Sequence, residues 1–263
     1  MTDQTTAMDW MDRKQVFDRF RPADVAVAAS LLTRLPLRVD HQAAGARGAL
    51  AAWAYPLVGM GLGAAAGLVF AALSGLGAAE GVAAGAALAL LMVLTGGLHE
   101  DGLADTADGF GGAAEKARVL EIMRDSRIGS FGASALVLCL LARWSAVASF
   151  GIWEAVAALV AAGALSRAAM VVVMWALPPA RRDGLGAGAG EVPGHVLVAA
   201  LVIAALASAL CGWGALLAIP AAGVAAVIVA RLADRRIGGH TGDVLGATQQ
   251  AAEAAALAAL TIA

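Results

Sequence analysis

Seven apolar runs, near 50–76, 79–98, 130–150, 152–177, 195–212, 213–231 and 244–263, constrain this chain more than any motif does. Crossing about 30 Å of hydrocarbon takes about 20 helical residues, and inside hydrocarbon a helix satisfies its own backbone hydrogen bonds. A mean hydropathy of +0.79 and 14% charged residues, against about a quarter in ordinary globular domains, fit the same reading. The expectation is an all-α fold, a polytopic transmembrane helix bundle with about seven spans. Turns at 75–81, 149–154 and 211–214 are too short to hold a second domain, so 1–263 reads as a single integral membrane domain. A shorter run at 24–35 predicts a helix that enters without crossing. Residues 1–22 form a polar N-terminal tail or interfacial helix, with Trp10, Phe17 and Phe20 among the charges. They hold no basic segment followed by an apolar core, so no cleavable signal peptide is expected.

The 18 Lys and Arg residues set an orientation. Seven precede Gly48, four lie in 116–127, and Arg181, Arg182, Arg231, Arg235 and Arg236 follow; Arg143 and Arg167 stand inside runs. The three tight turns hold acids such as Glu80 and Glu154 and no base. All the basic loops therefore share one face, which the positive-inside rule makes cytoplasmic. Arg143, nearer a run end, is expected to snorkel. A net charge of −2 without a basic block argues against a nucleic-acid partner.

Residues 95–132, TGGLHEDGLADTADGFGGAAEKARVLEIMRDSRIGSFG, concentrate charge on that face. If helical, Asp101, Asp105 and Asp108 stand at i, i+4 and i+7, within an arc of about 60°. Three such anions call for a divalent cation, and oxygen-only donors suit Mg²⁺ or Mn²⁺; a solvated acidic face is the alternative. Glu100 is offset by about 100° and His99 by about 200° from Asp101. His99 is thus a poor ligand unless Gly96 and Gly97 bend the chain first, and either a base or a supporting residue. Arg124 and Arg127 flank Asp125, either as membrane anchors with a local ion pair or as phosphate ligands beside an acid that completes a cation shell.

Arg167 and Glu253 lie near the middle of their runs, where charge is costly and faces a polar interior. They pair with each other, or Arg167 reaches an anionic ligand. The glycine turns DGLGAGAG at 183–190 and GGHTGDVLG at 238–246 precede helices whose N-termini can cradle phosphate. Thr241 or Asp243 alternatively caps the following helix. Loops at 99–127, 183–190 and 238–243 converge on the cytoplasmic face, as a composite site would require.

FDRF…LLTRLPLR at 17–38, YPLVGMGLG at 55–63, TGGLHEDGLADTADGFGG at 95–112, EIMRDSRIGSFG at 121–132, LSR at 165–167, DGLGAGAG at 183–190 and GGHTGDVLGA at 238–247, taken in order, closely resemble the cobalamin synthase (adenosylcobinamide-GDP ribazoletransferase) family. The resemblance implies an integral enzyme of the bacterial inner membrane, multi-pass and with its active site facing the cytoplasm. Such an enzyme joins α-ribazole or its 5′-phosphate to adenosylcobinamide-GDP, releases GMP and requires Mg²⁺. It implies Asp101, Asp105 and Asp108, with Asp125 or Asp243, as metal ligands, and Asp101, Asp105, Asp108 and His99 as the catalytic set. Arg34, Arg124, Arg127, Arg167, Thr241 and Gly242 would bind substrate. Membrane lipid is a further partner, and a homo-oligomer or association with other enzymes of the corrinoid pathway is compatible. The DGxxADxxDG string also partly resembles the CDP-alcohol phosphotransferases, with Asp105 where those carry Arg. The rival reading is a membrane transporter using Arg167 and Glu253 for coupling.

Overall fold

A computed structural model describes residues 20–39, 47–181 and 191–263. The predicted 1–22 segment, apart from its last three residues, and the 183–190 turn lie outside the described residues. Among the described residues ten α-helices follow one another: α1 (Ala23–Leu32), α2 (Tyr55–Gly75), α3 (Glu80–Thr95), α4 (Leu98–Gly112), α5 (Lys116–Ile122), α6 (Ser130–Ser149), α7 (Ile152–Ala176), α8 (Gly194–Ser208), α9 (Ala215–Ile237) and α10 (Gly242–Leu260). Among the described residues the single β interaction is a parallel bridge between Pro179 and His240.

Helices stand at all seven predicted runs, but length and apolar character qualify four stretches as spans: Leu50–Gly75, Ser130–Ser149, Ile152–Ala176 and Gly194–Ile237. The last, as one rod of 44 residues, would reach about 66 Å, twice the hydrocarbon thickness. It breaks at Gly212, whose φ of 56° and ψ of −129° are not helical. Helices α3 and α4 would make a fifth span only as a pair bent by 88°. We place α4 outside the spans, because its 15 residues carry Glu100, Asp101, Asp105 and Asp108. The 24–35 run is α1, at 10 residues too short to cross. Asp24 pins it, accepting from Arg47 Nε at 2.6 Å and Trp53 Nε1 at 2.9 Å.

Helix α7 is the axis of the bundle, buried along most of its length. Glycines bring α2 onto it. A Cβ on Gly59 would lie 2.0 Å from the Gly163 carbonyl oxygen, one on Gly63 2.1 Å from that of Leu159, and one on Gly67 2.8 Å from Val156 Cα. Spaced four apart, these three form one stripe that permits backbone contact. Gly61 and Gly85 face open space and take no part in it.

At one end of the bundle the basic segments gather. Arg236 Nη1 donates to Ala113 O at 3.0 Å, while Ala180 N–H donates to His240 O at 2.8 Å and His240 N–H to Pro178 O at 2.9 Å. The acidic turns lie at the other end, where Trp144 Nε1 donates to Gly81 O at 2.7 Å and Ser74 Oγ to Glu80 at 2.9 Å.

Candidate functional site

Gly96 and Gly97 close α3 with left-handed φ angles of 67° and 72°, a conformation glycine adopts without steric cost. The chain thereby turns into α4. Gly96 also makes room for Arg34, whose Nε would lie 2.1 Å from a Cβ built there. Between the end of α1, this bend, α4, the 123–128 loop and α6 lies a cavity of about 820 Å³. Arg34, Glu100, Asp101, Asp105, Arg124, Asp125 and Arg127 line its polar side, and Leu31, Met92, Leu98, Ile128 and Leu136 its apolar side.

Asp101 and Asp105 face this cavity one helical turn apart. Glycine packing brings a third acid close: a Cβ on Gly102 would stand 2.7 Å from Asp243 O and 3.2 Å from Gly246 Cα. Burial, then the charges of Asp101, Asp243 and Asp108, push the Asp105 carboxyl up to about 7, against the pull of Arg181. Asp243 is not on the cavity wall. Its Oδ2 accepts from Arg181 Nη2 at 3.1 Å and Thr241 Oγ1 at 3.2 Å, and burial still raises its carboxyl.

The three-acid comb divides. Asp108 accepts from Gly129 N–H at 2.7 Å and Gly132 N–H at 2.8 Å, so both its oxygens satisfy the opening turn of α6. Asp125 does line the cavity, but Arg127 grips it through Nη2 at 2.5 Å and Nε at 3.0 Å, and those bonds hold its carboxyl down near 2. Thr241 caps α10, accepting from Val244 N–H at 3.2 Å; neither it nor Gly242 reaches the cavity. His99 is 1% exposed, with Nε2 unpartnered, and packs toward α10 rather than the cavity.

Arg167 is likewise withdrawn. Its Nη1 donates to Glu253 Oε2 at 2.6 Å, and both side chains are 2% exposed, so of the two alternatives the mutual pair is the one realised. Arg143, expected to snorkel, is buried and donates to Glu253 Oε1 at 2.6 Å and Gln250 Oε1 at 2.6 Å. Gln249 and Ser166 complete this cluster, donating to Glu253 at 2.6 and 3.4 Å. The available signal was QQAAE at 249–253, which sets Gln249 and Glu253 on one helical face inside an apolar run.

No group of three His, Cys, Asp or Glu side chains among the described residues is gathered as a ready metal cage. Mg²⁺ does not need one, since it is usually held by one or two carboxylates together with substrate phosphates and water. Asp101 and Asp105, oxygen donors on a cavity that also presents arginines, fit that requirement.

The fold and the cavity together define a class, a helical membrane bundle whose polar cavity sets paired acids against arginines. Residues 24–261 match the family model described as cobalamin-5-phosphate synthase, and the chain belongs to that family, a transferase of cobalamin synthesis. It is 47% identical over 234 residues to an adenosylcobinamide-GDP ribazoletransferase of Bradyrhizobium diazoefficiens, covering 88% of this chain and 90% of that one. To its counterpart in Mesorhizobium japonicum it is 45% identical over 243 residues, covering 91% and 93%. No solved structure matches.

Proposed function

We propose that the protein transfers the adenosylcobinamide-phosphate moiety of adenosylcobinamide-GDP to α-ribazole or its 5′-phosphate, with release of GMP. The observation that carries this reading is the single cavity onto which Asp101 and Asp105 from α4 and Arg34, Arg124 and Arg127 from two other segments all open. Such a transfer depends on positioning and on neutralising charge that spreads over phosphoryl oxygens. Asp101 and Asp105 would hold Mg²⁺, which when bound supplies charge neutralisation across the pyrophosphate. The guanidinium forks of Arg34 and Arg124 would orient phosphate oxygens, while Arg127 keeps Asp125 fixed on the loop wall. Leu31, Met92, Leu98, Ile128 and Leu136 would exclude water from the apolar part of the substrates. The clustering of basic segments at the cavity end supports an inner-membrane protein whose site faces the cytoplasm.

The transporter alternative draws less support, because Arg167 and Glu253 are engaged with each other, away from the cavity. The test is GMP release from adenosylcobinamide-GDP by purified protein, with α-ribazole or its phosphate added and Mg²⁺ varied. Asp105→Asn should reduce release at least a hundredfold while the protein still inserts into membranes. An active Asp105→Asn enzyme removes the assigned cation ligand, and corrinoid uptake into proteoliposomes without GMP release would favour the transporter.

A further inference from the structure

The direction of α4 is not set by its own sequence. Gly97 at its N-cap offers no side-chain cap, and two left-handed glycines precede it. Tertiary contacts fix it instead: the Asp108 carboxylate on the opening turn of α6, the close approach of Gly102 to Gly246, and a further contact that runs through Glu100.

Glu100 leads into the buried ionic cluster. Gln250 Nε2 donates to Glu100 Oε1 at 3.0 Å and to Gln249 Oε1 at 3.0 Å, while Gln250 Oε1 accepts from Arg143 Nη1 at 2.6 Å. The amide cannot turn over: guanidinium only donates and carboxylate only accepts. Charge pulls the same way. Glu253 is shared by Arg143 and Arg167, so one positive charge is left over, and Glu100 is the acid that balances it, 3.5 Å from Arg143 Nη1. With Glu100 drawn inward, Asp101, about 100° further round the helix, is turned outward; it is exposed and on the cavity wall.

We propose that Gln250 and Arg143 are positioning residues, a bridge that transmits the fixed geometry of the Arg143–Glu253–Arg167 cluster to Glu100 and so holds Asp101 and Asp105 toward the cavity. The proposal rests on the reading of those two aspartates as cation ligands. Groups that orient metal ligands from behind typically contribute 10–100-fold to affinity or activity.

Gln250→Glu tests it. The variant keeps the size and still accepts from Arg143, but it turns an acceptor toward Glu100. Mn²⁺ binding to purified protein, followed by loss of the free-ion EPR signal, should weaken about tenfold or more. The Mg²⁺ concentration for half-maximal GMP release should rise in parallel. The double exchange Glu100→Gln/Gln250→Glu restores a donor facing an acceptor at constant charge and should recover both values. Wild-type Mn²⁺ binding by Gln250→Glu, or an exchange that recovers neither value, overturns the bridge. Should Gln250→Glu not fold, Glu100→Ala severs the same link from the cavity side, with the same loss expected and wild-type Mn²⁺ affinity overturning the proposal. If the wild-type protein itself binds no Mn²⁺ and releases no GMP, the cation reading falls and takes the bridge with it.

Discussion

At Asp105 a proton would compete with the proposed cation. Its carboxyl titrates near 7, while an unfolded chain releases that proton near 3.9. The folded state therefore holds more protons between those values, and stability without metal falls as pH rises from about 4 to 7, then levels off. The expected outcome for binding has the opposite sign. Apparent Mn²⁺ affinity should increase from pH 6 to 8 as the competing proton leaves, and Asp105→Asn should flatten that dependence in the same EPR titration. Which acids face the cavity was only partly legible. The i, i+4 spacing put Asp101 and Asp105 on one face, but that Asp108 would serve α6 depends on where a helix 22 residues later begins. His99 was rightly separated from the acids by its angle on the helix, although its burial against Gly246 comes from tertiary packing.

At the scale of the element, the α2–α7 contact depends on glycines that the sequence names without ranking. Gly59 and Gly163 meet backbone to backbone, whereas Gly61 meets nothing within 4 Å. Gly163→Val should push the helices apart and cost at least about 1–3 kcal/mol, the usual range for an overpacked contact. Gly61→Val should change stability by less than about 0.5 kcal/mol, as surface changes do. Thermal unfolding of both variants in the same detergent gives the comparison. The bend at Gly96 and Gly97 was readable as a place where the chain could turn. Its angle was not, because two glycines permit many directions and the contacts to Arg34, Gly246 and Gln250 select one.

For the whole molecule, the apolar runs announced a helical membrane bundle, and the sorting of Lys and Arg announced that the loops carrying the site would gather at one end. The count of spans was less legible, since α10 is apolar enough to resemble a lipid-facing span and yet is an interior helix whose polar side chains meet three neighbours. Its Glu253 joins α6 to α7 through Arg143 and Arg167. Glu253→Ala leaves two buried guanidiniums without their shared counter-charge and should cost about 3–5 kcal/mol, read as a lower unfolding midpoint in denaturant.

That shared carboxylate also bears on how the protein is made. Helices emerge from the ribosome in order, so Arg167 arrives in the bilayer before the acid that neutralises it has been synthesised. A guanidinium at the centre of a helix opposes insertion by about 2.5–3.5 kcal/mol, and for Arg167 that opposition lasts until α10 enters. Neutralisation of Arg167 thus waits for α10. A nascent chain that ends before α10 would carry Arg167 without its counter-charge.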